Sequence, residues 1–236
     1  MVEALLLSVD EPQLSRCLES MHNQTVPFTN IVHINNVVPQ SEAYNQGIRQ
    51  LTDRWFVHTA GDVCLSLDAV EQCVKVIEDN NDEKVAGYLF SLWDSFLKLD
   101  WGGIGVFKTD VYRKFRIRNR LANDRILGKR MDRRGWTFKR HNGIYLGTHF
   151  DSPDEYQVFR RFFVAGLKYN GKRLSEMNET LENLYHKTND LLYLTAKRAI
   201  EFAAYKHGLY PGSHNIEFER EMWEEFNAIQ EKRTSI

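Results

Sequence analysis

Four short apolar runs in the first 92 residues, separated by segments with helical spacing, constrain this chain more than any other feature. Ala4 to Val9 is a solid apolar run that stops at Asp10-Glu11-Pro12, the pattern of a strand buried on both faces. Leu14, Cys17, Leu18 and Met21 then recur at helical spacing, with Pro12 in the first turn, where its missing N–H is harmless. Ile31-Val32-His33-Ile34 reads as a second strand ending at Asn35-Asn36, and Ser41 to Leu51 as a helix with Ala43, Tyr44, Gly47, Ile48 and Leu51 toward the core. Trp55 to Val57 is a short buried strand running into a small-residue turn that presents Asp62. A helix from Leu67 to Glu78 and a fourth strand from Val85 to Leu92 follow. Strands alternating with helices of this length imply a parallel sheet with right-handed crossovers. Open sheets of that kind bind ligands at the carboxyl ends of their strands. Those ends carry Asp10-Glu11, Asn35-Asn36 and Asp62. There is no GxGxxG after the first strand and no GxxxxGK[ST], which weakens the Rossmann and P-loop readings.

From Trp93 the alternation breaks. Trp93-Asp94 and Asp100-Trp101-Gly102-Gly103 are loop-like, and Gly103 to Phe107 is a strand candidate reached through a glycine turn. Asn123-Asp124 open a helix to Arg134 that Gly135 stops, and Trp136 to Leu146 is β-like, ending at Gly147-Thr148-His149-Phe150. The remainder reads as helical: Asp154 to Tyr169, then a stripe of Leu174, Met177, Leu181, Leu184, Leu191 and Leu192 on one helix lasting to about Lys206, then a last helix with Phe218, Met222, Trp223 and Phe226. Length allows one large domain plus a helical appendage, and the boundary is expected near residue 152, giving 1–152 and 153–236. The stripe implies packing within the chain, with a homodimer seam as the alternative.

Composition excludes some classes. Three cysteines, Cys17, Cys64 and Cys73, form no CxxC pair and sit among apolar neighbours, so buried thiols are expected rather than disulfides or a zinc site. The opening apolar run is too short for a signal peptide, no run approaches a membrane span, and a cytoplasmic location is expected. The net charge of −1 hides an uneven distribution: residues 113–140 hold twelve Lys or Arg against Asp124 and Asp132, a net of +10. Such a run is usually a solvated face. It could also hold donor phosphates, a lipid-phosphate acceptor or an anionic membrane surface at the periphery. Nucleic acid is unlikely as a partner, because no reading motif accompanies the charge.

Several stretches together resemble family-2 glycosyltransferases of the GT-A fold. Leu6 to Asp10 followed by Leu14-Ser15-Arg16-Cys17-Leu18-Glu19-Ser20-Met21 and Gln24 is similar to that family's opening strand and helix. Ile31 to Asn36 stands at the strand beside the base, and Ala43-Tyr44-Asn45-Gln46-Gly47-Ile48 is similar to "a.N.Gi". Ala60-Gly61-Asp62 stands at the place of the DxD motif. Asn123-Asp124 with Leu127, Arg130 and Gly135 is similar to the "ED" helix, and His149 matches a late histidine that often joins the metal site. The resemblance covers roughly residues 4 to 150 in order. It implies a GT-A nucleotide-diphospho-sugar transferase fold, a mostly parallel sheet flanked by helices, with a C-terminal helical appendage. It also implies a metal-assisted, inverting transfer of a sugar from a nucleoside-diphosphate sugar, UDP- or GDP-linked, to a glycan or other acceptor hydroxyl.

Residue chemistry then suggests roles. Asp62 is the natural ligand for Mn2+ or Mg2+ on the diphosphate, with His149 a second ligand favouring Mn2+. Ser8, Asp10, Asn35, Asn36, Asn45, Gly61 and Asp62 would hold the donor, amides offering donors and acceptors to a nucleobase edge. Asp124 shares a helical face with Leu127 and Met131 and would be the base. Trp93, Asp94, Trp101, Gly102 and Gly103 would lie on the acceptor side, since aromatic faces pack on sugar rings. The sequence departs from the pattern at Ala60, at Asn123 and at Asn35-Asn36. Ala60 and Asn123 motivate an alternative, a catalytically silent GT-A-like domain that binds nucleotide or glycan and acts through a partner on its helical tail. A nucleotidyltransferase is a third reading, lacking the glycine- and basic-rich first loop.

Overall fold

The computed structural model describes residues 1–80, 82–100, 103–149, 153–206 and 208–234, with side chains described to residue 232. Contacts divide the chain into two compact units, residues 1–119 with 123–152, and residues 120–122 with 153–236.

The first unit runs β1 (Val2–Ser8), α1 (Leu14–His22), β2 (Ile31–Asn35), α2 (Gln40–Gln50), β3 (Trp55–Ala60), β4 (Val63–Leu65), α3 (Ala69–Asp79), β5 (Val85–Asp94), β6 (Leu99–Asp100), β7 (Ile104–Lys108), α4 (Thr109–Arg113), α5 (Asn123–Asp132) and β8 (Thr137–His149). The sheet order is β2-β1-β3-β7-β5-β8-β4, with β6 paired to β5. Strands β1, β2, β3, β5 and β8 share one direction; β7 is antiparallel to both β3 and β5, and β4 is antiparallel to β8. The sheet is therefore mixed. The fourth strand of the alternating pattern does not lie beside β3, because β7 returns from the next loop and inserts between them. Periodicity identifies strands but carries no information about which neighbour each one takes.

Helices cover both faces. Ala4, Leu6, Val57, Phe90 and Leu92 meet Cys17 and Met21 of α1 and Val70 and Cys73 of α3 on one side. Leu5, Leu7, Phe56 and Ile34 meet Ala43 and Ile48 of α2, Val111 and Tyr112 of α4, and Leu127 and Met131 of α5 on the other. Alternating side chains on β1 thus serve two cores, which is why Ala4 to Val9 reads as unbroken apolar sequence. Gly47 is required by packing: a Cβ there would stand 2.2 Å from a methyl of Leu5.

Two loop-like assignments change. Trp93-Asp94 are the last residues of β5, and Gly147 to His149 are the last of β8, because these strands pair in parallel with Asp94 opposite His149. The twelve basic residues include several with structural partners. Arg113 donates to the Ile48 and Leu51 carbonyls at the end of α2, Arg116 pairs with Glu42, Arg130 donates to the Arg116 carbonyl, and Lys139 pairs with Asp82.

The second unit contains α6 (Glu155–Lys168), α7 (Gly171–Thr188), α8 (Leu191–Tyr205) and α9 (Ile216–Thr234). Asp154 and Gln157 form a reciprocal capping box at the start of α6. The expected single helix from Leu174 to Lys206 is two helices. Asn189 takes the left-handed conformation at φ 55°, and Asp190 caps α8 by accepting from the Leu192 N–H. Asn and Asp provide this break without glycine or proline, so apolar spacing alone runs across it. Helices α6 and α8 approach at Gly166, where a Cβ would lie 2.7 Å from that of Ala203. Phe159, Phe163, Phe202 and Phe226 form the aromatic core, and buried Glu219 accepts from Tyr210 and pairs with Arg160 and His214. No helix among the described residues is long and apolar enough to cross a membrane.

Candidate active site

The carboxyl ends of β1, β2 and β3 are stitched together by main-chain bonds from Asn36 N–H to the Ser8 carbonyl (2.9 Å) and from Gly61 N–H to the Leu7 carbonyl (3.0 Å). Asp10 and Asn36 both turn the chain away from its strand in the left-handed conformation, φ 53° and 55°, which Asp and Asn tolerate better than other side chains. The buried Ser8 hydroxyl lies 2.7 Å from both His33 Nε2 and Asn35 Oδ1. Gly61 is glycine because of close approach: a Cβ would meet Glu11 Oε2 at 2.7 Å. Glu11 accepts from the Val9 N–H at 2.5 Å. It stands with Asp10 among the polar residues expected at this strand end, where the sequence assigned it no role.

Asp62 occupies the turn between β3 and β4, and β4 pairs antiparallel with the end of β8, Val63 opposite His149. This pairing brings His149 Nε2 to 3.4 Å from Asp62 Oδ2. On the other side of the ring, His149 Nδ1 lies 3.1 Å from Asp94 Oδ2. Asp94 is fully buried (0 % exposed), and its Oδ1 accepts from the Phe96 and Leu97 N–H groups at 3.1 and 2.7 Å. The sequence placed Asp94 on the acceptor side; the structure makes it the buried holder of His149. Trp93 and Asp94 leave β5 on opposite faces, so their adjacency in sequence does not make them partners.

The charge around this edge is negative. Burial, then Cys64, Asp62 and Glu11, push the Cys17 thiol up to about 12. Asp62 and His149 offer one oxygen and one nitrogen to a divalent cation. Two adjacent ligands at roughly 2.1 Å from an octahedral ion stand about 3 Å apart, close to the Asp62–His149 separation. Among the described residues no group of three or more His, Cys, Asp or Glu side chains is placed to hold a metal. These two residues fit an ion whose remaining ligands are phosphate oxygens and water.

Other expected residues separate. Asn45 does not face a donor: its Nδ2 donates to the Ile117 carbonyl and its Oδ1 accepts from the Ile117 N–H, both at 2.9 Å. A buried amide satisfied this way clamps the loop before α5. Asp124 is exposed, whereas Asn123, Leu127 and Met131 form the buried face of α5. Helix α5 opens at Asn123 as expected, and Asp124 stands at the exposed border of its buried face rather than toward the core. Its charge still reaches inward, contributing to raising Tyr44 and Tyr112 and opposing the burial that holds His58 down at about 3. Gly103 is exposed beside β5, while Trp101 and Gly102 lie outside the described residues. Trp93 is 42 % exposed.

No protein-family profile and no curated protein matches the sequence. Among solved structures, the mannosyltransferase PcManGT from Pyrobaculum calidifontis, in complex with GDP-Man and Mn2+, aligns with a TM-score of 0.51 at 13% identity, covering 99% of this chain and 79% of that one. S. aureus TarS 1-349 aligns with a TM-score of 0.47 at 10% identity, covering 85% of this chain and 80% of that one. Its complex with UDP-GlcNAc gives 0.46 at 10% identity, with 85% and 81% covered. The fold is that of GT-A nucleotide-diphospho-sugar transferases, a mixed, curled sheet flanked by helices with further helices at the C-terminus.

Proposed function

We propose that this protein is a glycosyltransferase that moves a sugar from a UDP- or GDP-sugar to an acceptor hydroxyl, with Mn2+ or Mg2+ and with inversion. The observation that carries the reading is the Asp62–His149–Asp94 chain at the carboxyl edge of the sheet. A buried carboxylate behind a histidine fixes the ring and its tautomer and raises the basicity of the outward nitrogen, the usual support of a ligating histidine. Asp62 and His149 would hold a divalent ion there, which would supply charge neutralisation for the leaving diphosphate. Asp62 and His149 would position the diphosphate, Asp10, Asn35 and Asn36 would meet the nucleoside at the neighbouring strand ends, and Gly61 keeps the floor low enough for approach. Asp124, exposed on the α2–α4–α5 side, would accept the proton of the attacking hydroxyl.

A thermal-shift screen of UDP-, GDP- and CDP-sugars, with and without Mn2+, tests the reading. A ligand that binds only the folded protein raises its melting temperature. At least one UDP- or GDP-sugar is expected to do so in a Mn2+-dependent manner; no shift with any nucleotide sugar would overturn the proposal. Asp124→Asn is expected to leave that shift intact and to lower transfer roughly a hundredfold, the general-base scale. Wild-type transfer in the variant would remove Asp124 from the role.

A further inference from the structure

Beside the proposed donor site, β5, β6 and β8 together present a surface that the fold itself does not use. Trp93 and Tyr145 are 42 % and 44 % exposed, and no other Phe, Tyr or Trp among the described residues of this unit is exposed. They are brought together by register. Trp93 stands opposite Asp100 on β6, and Ser91, two residues back on the same face, stands opposite Tyr145 on β8. Asp100 lies between them: its Oδ2 accepts from the Ser91 hydroxyl at 2.9 Å and from the Tyr145 hydroxyl at 3.4 Å. The carboxylate is thereby fixed in orientation, and its Oδ1 has no protein donor among the described residues. Trp93 and Ser91 alternate with Phe90 and Leu92, which face the α1–α3 core, so the platform lies on the face that carries α5 and Asp124.

Two rings left in water beside an oriented carboxylate are costly for folding and suited to one ligand chemistry. Aromatic faces bury the C–H faces of a pyranose, while a carboxylate accepts its hydroxyl hydrogens. The same carboxylate repels phosphate oxygens. We infer that the acceptor is a neutral carbohydrate, bound with a sugar ring against Trp93 and Tyr145 and a ring hydroxyl on Asp100. This rests on the proposed transferase function for its meaning as an acceptor site, but the binding itself does not. It also identifies Ser91, Asp100 and Tyr145 as specificity residues that apolar spacing does not pick out. Trp93 and Asp94 are the last two residues of β5, so the platform and the Asp94–His149 pair share one strand end from opposite faces.

Saturation-transfer NMR with tetrasaccharides of glucose, mannose and N-acetylglucosamine, and with a polyprenyl phosphate in detergent, tests the inference on the full chain. At least one neutral tetrasaccharide is expected to bind, and both Trp93→Ala and Asp100→Asn are expected to weaken it about tenfold or more. Both substitutions are at exposed positions, and a melting temperature within about 2 °C of wild type verifies that each variant is folded. Binding of the polyprenyl phosphate alone, binding of none of these probes, or wild-type affinity in both variants overturns the inference. Glycan binding without any nucleotide-sugar shift would instead leave this surface standing and remove the transferase reading.

Discussion

The two edges of the central sheet treat buried charge in opposite ways. At the amino edge, Glu3 is 1 % exposed and its carboxylate accepts from the Thr52 N–H (2.6 Å), the Asp53 N–H (2.7 Å), the Thr52 hydroxyl and Asn30. Lys108, also buried, donates to the Asp82 and Glu83 carbonyls and sits over the Trp55 ring. Each ion is answered by neighbouring main chain. At the carboxyl edge, Asp62 and Asp94 flank His149, and burial, then Cys64, Asp62 and Glu11, push the nearby Cys17 thiol up. The proposed cation would answer the like charges at the second edge, as main chain answers those at the first. The same contrast separates stability from chemistry, and substitutions can test it from both sides.

The largest effect is expected at Asp62. Asp62→Asn keeps the shape of the side chain and removes the charge that would hold the ion. Transfer should fall by about a thousandfold, the several kcal/mol that metal stabilisation of a leaving group supplies. The Mn2+-dependent part of the donor thermal shift should vanish while the melting temperature of the free protein stays within about 2 °C. A variant that retains the Mn2+-dependent shift would place the ion elsewhere.

At the opposite edge the sign pattern reverses. Glu3→Ala leaves the Thr52 and Asp53 N–H groups without their acceptor, and each buried orphan costs about 1–3 kcal/mol. Urea unfolding should show a loss of roughly 3 kcal/mol, and the donor-induced thermal shift measured on the remaining folded protein should be unchanged. A loss below about 1 kcal/mol would mean that water replaces the carboxylate and that this edge is not the closed structure described.

The two edges were also unequally legible in the sequence. Strand ends bearing Asp10, Asn35-Asn36 and Asp62 follow from apolar runs and the loops that end them, because those signals are local. His149 was found by likeness of pattern, but its support was not. Asp94 stands 55 residues away, and only the parallel pairing of β5 with β8 brings the two together. Asn45 was misplaced for the same reason, since its partner Ile117 is 72 residues distant. The Ser91–Asp100–Tyr145 cluster was invisible because it joins single polar residues of three strands that meet only in the folded sheet. The mixed order of the sheet, with β7 between β3 and β5, was likewise fixed by long-range pairing. Asp124 opens α5 where expected, and only its exposure departs from the expectation, because it lies at the border of the Asn123–Leu127–Met131 face.

A smaller effect separates Asp94 from Asp62. Asp94→Asn can still accept from Phe96 and Leu97 through one oxygen but offers His149 an amide in place of a carboxylate. Loss of such a supporting group lowers metal affinity about 10- to 100-fold. Titration of Mn2+ against the donor-bound protein should show that weakening with transfer restored at high Mn2+, whereas Asp62→Asn should not be rescued. Equal, unrescued losses in both variants would erase the distinction between ligand and support.

The smallest effect concerns His58, on β3 between the two edges. Its Nδ1 shares a 2.7 Å hydrogen bond with the Tyr44 hydroxyl, and Nε2 is buried without a partner among the described residues. Burial holds its pKa down from 6.5 to about 3, against the opposing pull of Asp124. Between those two values the unfolded chain binds a proton that the folded protein refuses, so stability is full above pH 6.5 and falls as pH drops toward 3. The slope from this one group is about 1.4 kcal/mol per pH unit. Unfolding free energies of wild type and His58→Gln, measured from pH 7 to 5, should differ in slope by nearly one proton. Parallel slopes would show that the ring protonates in place. The interior between the edges would then be wetter than the Tyr44–His58 contact implies, and Asp124, whose charge acts on both residues, would be the group that admits the proton.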